Sequence, residues 1–219
     1  MLYNLASAAI LFTLLIMAAK SNVFHGKSRI RRFHDIRKFL NTSEPIWTYT
    51  SSREESLPCT VDVMSKLDEQ SIQYNRSCYM HKHVRTEVLE GWFDTTQEDK
   101  IFVGVLDNIP VIAEELVYEN TTGRCGVFRS SLVFHGEKPW YDLRVKNSSI
   151  MVGPSLDCSN YFIKARPKTS SKVAGKEGSK ATAAVKRIYY DWCQRVHRPS
   201  SVLQPSSVQA DQHFLSYLL

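Results

Sequence analysis

The sequence predicts an all-β protein whose eight antiparallel strands close into a barrel. From residue 46 to residue 150, apolar and polar residues alternate with a period of about two, as they do in half-buried strands. Turn-forming residues interrupt this pattern at short intervals, and short connections favour an antiparallel meander. Such a meander removes its exposed edges by closing on itself, and an eight-stranded barrel can hold one small ligand. An immunoglobulin-like sandwich is the alternative, although its Cys…Trp…Cys arrangement is not evident here.

Eight strand-like runs account for this segment. In chain order they are IWTYT, CTVDVMSKL, SIQYNRSCYM, TEVLEGWF, IFVGVLD, VIAEELVYE, RCGVFRSSLVF and WYDLRVK. Most of them are rich in β-branched and aromatic residues, which pack well on a pleated surface. Most are separated by polar, Gly or Pro residues with turn chemistry, such as residues 94–100, 107–110 and 120–123.

Helices are predicted on either side of the strands. Before them, RIRRFHDIRKFL spaces its apolar residues as on one helix face, and Asp35 is a candidate N-cap. These apolar residues are Ile30, Phe33, Ile36 and Leu40. After the strands, DCSNYFIKA is predicted as a short helix and RIYYDWC as a compact segment that docks on the barrel.

The chain is predicted to begin with a secretory signal peptide, residues 1–19. Leu5 to Ala19 contains no charge and is too short to span about 30 Å of hydrocarbon as a helix. It fits the apolar region of a signal that ends in small residues, with a buried N-terminal helix as the alternative. Because no second long apolar run follows, we expect the mature protein to be soluble and secreted, without a membrane anchor.

Four regions follow the signal in the predicted domain organisation. Residues 20–34 form a basic N-terminal segment, and residues 35–163 form the barrel with the helix that follows it. Residues 164–198 form a basic connector and a docked C-terminal segment. Residues 199–219 form a tail of biased composition that is predicted to be disordered.

The net charge of +6 is distributed unevenly along the chain. Residues 20–38 hold seven basic and one acidic side chain, and residues 164–187 hold eight basic and one acidic. Residues 39–163, which contain the predicted barrel, hold 11 basic and 18 acidic side chains. Because only the flanks of the folded part are basic, we do not expect nucleic acid as a partner.

Sequons and cysteines both agree with an oxidising, extracellular compartment. Four Asn-x-Ser/Thr sequons are predicted glycosylation sites, at Asn41, Asn75, Asn120 and Asn147. The five cysteines contain no C-x-x-C pair and are expected to form two disulfides, with one cysteine left over. The sequence alone leaves open both the unpaired cysteine and the connectivity of the other four.

The sequence contains no recognisable catalytic or cofactor-binding motif. G-x-S-x-G, H-E-x-x-H, P-loop and G-x-G-x-x-G patterns are all absent. Glu114 and Glu115 point to opposite faces of a strand, so they do not form a carboxylate dyad. His81 and His83 lack an evident third metal ligand, so we expect two exposed hairpin histidines. We therefore expect a protein that is not an enzyme and needs no cofactor or metal.

Several stretches, taken in order, resemble one known family. They are DIRKFLNTSEPIWTY, VDV after Cys59, SIQYNRS, LEGWF, EELVY, CGVF, YDLRVKNSSI and GPSLDC. Together they resemble the tick salivary lipocalins, the group that includes the histamine-binding proteins, from about Asp35 to Cys193. The resemblance implies a secreted, monomeric, eight-stranded lipocalin barrel with a short N-terminal helix and a C-terminal helix. It also implies a function, the sequestration of small host inflammatory or haemostatic mediators.

The disulfide pairing is likewise implied by the resemblance. It pairs Cys125 with Cys158 and Cys59 with Cys193. A loop closed by Cys125 and Cys158 would stabilise the fold by roughly 3–4 kcal/mol in the chain-entropy model. Cys78 is left over, and we expect a buried free thiol, with an intermolecular disulfide as the alternative.

The resemblance also suggests ligand-binding residues. Amine-binding members carry an acidic residue directly after the cysteine of CGVF and a Glu-Leu-aromatic triplet in the following strand. Here these positions are Gly126 and Asp142-Leu143-Arg144, so one carboxylate is missing and a guanidinium replaces the aromatic ring. An arginine repels an ammonium but can bind a carboxylate through two hydrogen bonds. The candidates for an apolar lining are Trp47, Phe93, Tyr118 and Phe128.

Three functional hypotheses remain open from the sequence. Gly126 and Arg144 favour an anionic lipid mediator such as a leukotriene, whereas Asp142 favours a biogenic amine such as histamine or serotonin. In the third hypothesis, the loops bind a host complement or plasma protein and the barrel is only a scaffold. The orientation of Asp142 and Arg144 is also open, because the resemblance turns them into the barrel whereas simple alternation buries their apolar neighbours instead.

Overall fold

Eight antiparallel strands form a closed ring in the computed structural model, which describes residues 34–134, 136, 138–167 and 185–197. The strands are β1 (Ile46–Ser51), β2 (Val61–Leu67), β3 (Ser71–Met80), β4 (His83–Phe93), β5 (Lys100–Val105), β6 (Ile112–Asn120), β7 (Cys125–Leu132) and β8 (Trp140–Lys146). Each strand pairs with the next along the chain, and β1 pairs with both β8 and β2, which closes the ring. The predicted eight-stranded antiparallel barrel is confirmed, and a two-sheet sandwich is excluded.

Short helices and one further strand surround the barrel. In the described residues they are α1 (Ile36–Leu40), α2 (Asn147–Ile150), α3 (Leu156–Ala165), β9 (Lys186–Arg187) and α4 (Cys193–Val196). The side chain of Asp35 caps α1 by accepting a hydrogen bond from the Lys38 amide at 2.9 Å. Ser155 caps α3 in the same way, at the Cys158 amide. The helix predicted in DCSNYFIKA is present, and the helix predicted in RIRRFHDIRKFL is present from Ile36 onward.

Two apolar clusters cover the two faces of the barrel wall. The inner cluster joins α1 to strands on all sides of the ring and includes Ile46, Tyr74, Leu89, Ile101, Leu116 and Phe128. The outer cluster lies between the wall, α3 and the C-terminal segment, and includes Trp47, Val127, Leu143, Phe162 and Tyr189. Because both faces of β8 are covered in this way, Asp142 to Val145 are all buried.

One end of the barrel is closed by α1. The apolar side chains of this helix, Phe39 among them, are buried in the inner cluster. The Phe39 ring lies against Gly126 of β7, where an added Cβ would be 3.0 Å from Phe39 Cε2 and 2.9 Å from Leu116 Cδ1. The glycine that follows Cys125 is therefore explained by the close approach of two inner side chains.

The opposite end is the mouth of the barrel, where β1 ends and β2 begins. The β3–β4 connection at this end has only two residues, His81 and Lys82, with φ of 50° and 69°. Two consecutive positive φ values are typical of a type I′ hairpin turn, which matches the twist of the flanking strands. His83 begins β4, three residues before the strand predicted from TEVLEGWF, and both His81 and His83 are exposed. Nowhere in the described chain do three His, Cys, Asp or Glu side chains group as metal ligands.

Two disulfides attach peripheral segments to the barrel. Cys125 is bonded to Cys158, which joins β7 to α3, and Cys59 is bonded to Cys193, which joins the β1–β2 loop to α4. This is the pairing that the family resemblance implied. All five cysteines lie in the described residues, and Cys78 is left unpaired on β3 with 2% of its surface exposed.

Several predicted segments lie outside the described residues. They are the signal peptide (1–19), nearly all of the basic segment (20–34), residues 168–184 of the connector and the tail (199–219). The described residues belong to one unit, residues 33–219. Within them, no helix has both the length and the apolar character needed to cross a bilayer.

Candidate ligand-binding site

The interior of the barrel contains a buried cluster of five charged side chains. They are Asp62 on β2, Arg76 on β3, Glu114 on β6, and Asp142 and Arg144 on β8. Each is 7% exposed or less. Strand alternation places all five on the inner face, since their neighbours in sequence belong to the outer face of the wall. Charged side chains are almost never buried without partners, so their contacts define the chemistry of the interior.

Two bidentate ion pairs form the centre of this cluster. Arg76 donates from Nε and Nη2 to the two carboxylate oxygens of Asp62, at 2.7 and 2.8 Å. Arg144 donates from Nη1 and Nη2 to the two oxygens of Glu114, at 2.7 and 2.6 Å. Longer contacts join the pairs, because Arg76 Nη2 lies 3.5 Å from Glu114 Oε1 and Arg144 Nη1 lies 3.9 Å from Asp62 Oδ2. These four residues, called the ion-pair layer below, have the bidentate geometry of strong charge-assisted hydrogen bonds, although the buried Nε of Arg144 has no partner among the described residues.

Aromatic rings support both guanidinium groups of the ion-pair layer. The Arg144 guanidinium lies 4.2 Å from the centre of the Phe128 ring, and that of Arg76 lies 5.5 Å from the centre of the Tyr74 ring. A guanidinium over an aromatic face in a dry interior gains a favourable cation–π interaction. The planar groups are thereby held between a carboxylate and a ring, which limits their freedom to turn toward another ligand.

Asp142 is the one member of the charged cluster that takes part in no bidentate ion pair. Its Oδ2 is 3.7 Å from Arg144 Nη2, and its buried Oδ1 makes no hydrogen bond with any described residue. Burial raises the pKa of Asp142, and Arg144 and the Ser51 hydroxyl oppose this effect only in part. The cluster therefore has three carboxyl groups against two guanidinium groups, and Asp142 is the carboxyl group left outside the two bidentate pairs.

The pKa of Glu114 moves in the opposite direction from that of Asp142. Burial alone would raise it, but Arg144 and Arg76 outweigh burial and lower the pKa of Glu114 to about 2. Glu114 is thus ionised at any physiological pH, and the ion-pair layer stays charged. The two interior carboxylates that face Arg144 are therefore chemically distinct, one satisfied and one not.

A cavity of about 60 Å³ lies between the ion-pair layer and the mouth. Its lining includes Arg53, Leu57, Cys78, Ile112, Trp140 and Asp142. A second cavity of about 10 Å³ lies beyond the layer, and Glu114 and Arg144 line both. The ion-pair layer thus separates the interior into two compartments, called the mouth cavity and the lower cavity below. Drug-sized ligands usually need pockets of about 300–1,000 Å³, so the mouth cavity suits only a small molecule.

Trp140 and Arg53 form the entrance side of the mouth cavity. The Arg53 guanidinium lies 4.5 Å from the centre of the Trp140 ring, and its Nε is 3.5 Å from Glu55 Oε2. The charge of Arg53 is therefore balanced outside the barrel by a carboxylate on the same loop. Among the described residues that line the mouth cavity, the buried polar atoms without a hydrogen-bond partner are the acceptor Asp142 Oδ1 and the donor Arg144 Nε.

The structure brings three of the six sequence-predicted ligand residues together. Phe128, Asp142 and Arg144 meet in the interior, which places both charged residues of β8 inside the barrel. Phe93 packs at the closed end, where the Arg37 guanidinium lies 5.2 Å from its ring centre. It lines a surface depression of about 530 Å³ there, away from the charged cluster.

Trp47 and Tyr118 require a correction, because both belong to the outer cluster and not to the inner lining. Trp47 alternates with inward-facing neighbours on β1, and its Nε1 donates to Asn147 outside the barrel at 2.9 Å. Tyr118 follows a register shift in β6 after Leu116, which turns it outward. There it stacks on Tyr161 of α3, with ring centres 4.7 Å apart.

Sequence reasoning missed the roles of Asp62, Arg76 and Glu114. Each lies at an inward position in a strand that was predicted, but hydropathy alternation does not show which charges meet across the barrel. Asp62 and Arg76 are direct cross-strand partners in the β2–β3 register. That register is the signal that could have paired them, since opposite charges placed directly across two strands attract.

Comparisons of the sequence find no matching family model and no matching curated protein. Comparison of the structure finds AM182, solved as a serotonin complex, at 14% identity and a TM-score of 0.52, covering 73% of this chain and 92% of that chain. Rat lipocalin 12 aligns at 10% identity with a TM-score of 0.45, and the alignment covers 62% of this chain and 78% of that chain. Bovine odorant-binding protein aligns at 14% identity with a TM-score of 0.41, and the alignment covers 57% of this chain and 83% of that chain. The resemblance to tick salivary proteins stays a prediction, whereas the barrel and its first structural neighbour agree that this chain has the lipocalin fold.

Proposed function

We propose that this protein is a small-ligand-binding lipocalin that captures a small protonated amine in the mouth cavity, with Asp142 as the anionic anchor. The observation that carries the proposal is the charge count of the interior, in which Asp142 is a buried carboxylate with an unpartnered oxygen. A protonated amine brings three hydrogen-bond donors and one positive charge. The donors would supply a hydrogen bond to Asp142 and the positive charge would balance its carboxylate, because a buried charge without a partner is strongly unfavourable.

The amine hypothesis has more support than the anionic lipid hypothesis. The lipid hypothesis depended on Arg144 as a free guanidinium, but both of its terminal nitrogens donate to Glu114, which leaves only Nε without a partner among the described residues. The serotonin complex of AM182 illustrates that a barrel of this fold can hold an aromatic amine.

The proposed setting is extracellular, and the proposed mechanism is stoichiometric capture by a monomer. Two disulfides are typical of secreted proteins, in agreement with the signal peptide and sequons predicted from the sequence. Lipocalins are generally binding proteins and not enzymes. Sequestration of a host mediator such as histamine or serotonin then depends on the affinity and abundance of the protein.

Calorimetric titration with histamine, serotonin and a leukotriene tests this proposal. We expect the wild-type protein to bind at least one amine and to bind the leukotriene weakly or not at all. Asp142→Asn should weaken amine binding by about 10- to 100-fold, the value of a charged hydrogen bond of roughly 1.5–3 kcal/mol. Asp107→Asn is the matched control, because Asp107 is exposed on the β5–β6 turn.

Two results would contradict the proposal. One is tight leukotriene binding without amine binding, which would favour the lipid hypothesis. The other is amine binding that Asp142→Asn leaves unchanged. Failure to bind any of the three ligands would also count against it, and a pull-down from host plasma would then test the hypothesis of a protein partner.

A further inference from the structure

The four predicted sequons have different structural surroundings. Asn41 is exposed directly after α1, and Asn75 lies on the outward face of β3. Asn120 ends β6 and Asn147 begins α2. We propose that Asn41 and Asn75 carry N-linked glycans, whereas the side-chain amides of Asn120 and Asn147 act as structural hydrogen-bonding groups and stay unmodified.

The Asn147 amide connects three parts of the protein. Its Oδ1 accepts hydrogen bonds from Trp47 Nε1 on β1 and from Gln194 Nε2 on α4, both at 2.9 Å. Trp47 is only 2% exposed and packs edge-to-face on Tyr189, so this contact lies at the docking site of the C-terminal segment. A glycan would be attached to Nδ2 of this same amide, directly beside the docked C-terminal segment that Oδ1 holds.

The Asn120 amide holds the β6–β7 turn and the start of α3. Its Oδ1 accepts a hydrogen bond from the Gly123 amide at 2.6 Å, and its Nδ2 donates to Ser155 Oγ at 3.3 Å. The space is tight here, since a Cβ added to Gly123 would be 2.8 Å from Ser155 Cβ. Glycans are attached to Nδ2, the atom that faces Ser155, so modification would compete with the docking of α3.

Neither Asn41 nor Asn75 has such a role. Among the described residues, neither side-chain amide takes part in a hydrogen bond or ion pair. Asn75 is the cross-strand partner of Val63 on β2 and of Val88 on β4, so the three side chains form one outward-facing row. The two valines are 36% and 37% exposed. A glycan on Asn75 would shield this apolar part of the wall from other proteins.

The test is glycopeptide mapping of the full chain secreted from eukaryotic cells, together with intact mass before and after N-glycosidase treatment. We expect two glycans on the wild-type protein, and loss of one glycan in each of Asn41→Gln and Asn75→Gln. Thr122→Ala and Ser149→Ala remove the other two sequons but keep their asparagines, so they should leave the mass of the glycans unchanged.

Thermal unfolding supplies the second readout. Asn120→Gln and Asn147→Gln should keep both glycans but lower the melting temperature by several degrees, whereas Thr122→Ala and Ser149→Ala should change it little. A glycan found on Asn120 or Asn147 of the folded protein would overturn the proposal. So would a secreted protein that lacks a glycan at Asn41 or Asn75. Mapping of the wild-type protein decides both points even where a variant fails to fold.

Discussion

Asp142 connects the proposed function to the stability of the fold. Its carboxyl group is buried and its Oδ1 makes no hydrogen bond with a described residue, so burial raises its pKa above the ordinary value of 3.8. The folded protein therefore keeps this proton to a higher pH than the unfolded chain does. As the pH rises through the raised pKa, the folded state must ionise a poorly solvated group, and stability falls. A cation that binds at Asp142 would supply the missing partner, so function and stability are opposed at this residue.

Asp142→Asn should therefore stabilise the ligand-free protein at neutral pH. The asparagine keeps the size of the side chain and removes the ionisation, and each unit by which the pKa is raised corresponds to about 1.4 kcal/mol. Urea unfolding at a series of pH values from 4 to 8 measures the effect. The advantage of the variant should grow as the pH rises and then level off. A variant that is less stable than wild type at pH 8 would show that Asp142 is satisfied in the free protein.

Gly126 leaves room for the side chains of Leu116 and Phe39, which pack against it inside the barrel. Gly126→Ala would place a methyl group 2.9 Å from Leu116 Cδ1 and 3.0 Å from Phe39 Cε2. We expect a loss of about 1–3 kcal/mol in the free energy of unfolding, as for other overpacked cores. A double variant that combines Gly126→Ala with Phe39→Leu should recover part of this lost free energy. Gly136→Ala is the control, because an added Cβ there meets nothing within 4 Å. Equal stability of the Gly126→Ala and Gly136→Ala variants would refute this account.

At the scale of elements, the ion-pair layer links β2, β3, β6 and β8 across the barrel. Its two bidentate pairs are buried, and a buried pair is weak evidence for net stability because desolvation offsets much of the attraction. Its geometric effect is clearer. Glu114 and Arg144 line both cavities, so the layer sets the depth to which a ligand can enter from the mouth.

Replacement of Arg144 and Glu114 should separate these two effects. Arg144→Leu alone should cost about 3–5 kcal/mol, because it leaves Glu114 buried without its main partner. The double variant with Glu114→Leu should recover most of this loss and join the two cavities, so that it binds a fluorescent fatty acid that the wild type excludes. Arg129→Leu is the control, since Arg129 pairs with Glu115 on the partly exposed outer wall. Equal fatty-acid binding by wild type and double variant would contradict the role of the layer.

The strands differ in how much of their structure could be predicted from the sequence. All eight strands were predictable, because polar and apolar residues alternate through this part of the chain and turn residues separate most of the runs. The face of β8 was not predictable, because Leu143 packs outside while Arg144 is buried inside, and hydropathy cannot rank two covered faces. The orientation of Tyr118 depended on a register shift that leaves no mark in composition. The early start of β4 depended on a two-residue turn, His81–Lys82, that lacks the usual glycine.

At the scale of the whole molecule, α1 closes one end of the barrel, and the described residues at the other end surround the small mouth cavity. The two disulfides fasten α3 and the C-terminal segment to the outside of the wall, so they leave the interior free for a ligand. The charged cluster could not be assembled from sequence, because it joins β2, β3, β6 and β8 and depends on closure of the ring. The closed ring therefore brings five scattered residues into one site, in which Asp142 stands outside the two bidentate pairs.

The most direct test of this account compares two ligands of the same shape that differ in charge. Tryptamine and its neutral alcohol analogue, tryptophol, should be titrated calorimetrically into the wild-type and Asp142→Asn proteins at pH 7. If Asp142 is the anchor, the amine binds the wild type at least about tenfold more tightly than the alcohol, a difference of roughly 1.4 kcal/mol, and Asp142→Asn abolishes this preference. Equal affinity of the two ligands for the wild type, or a preference that persists in Asp142→Asn, would contradict the assignment of the mouth cavity as an amine site.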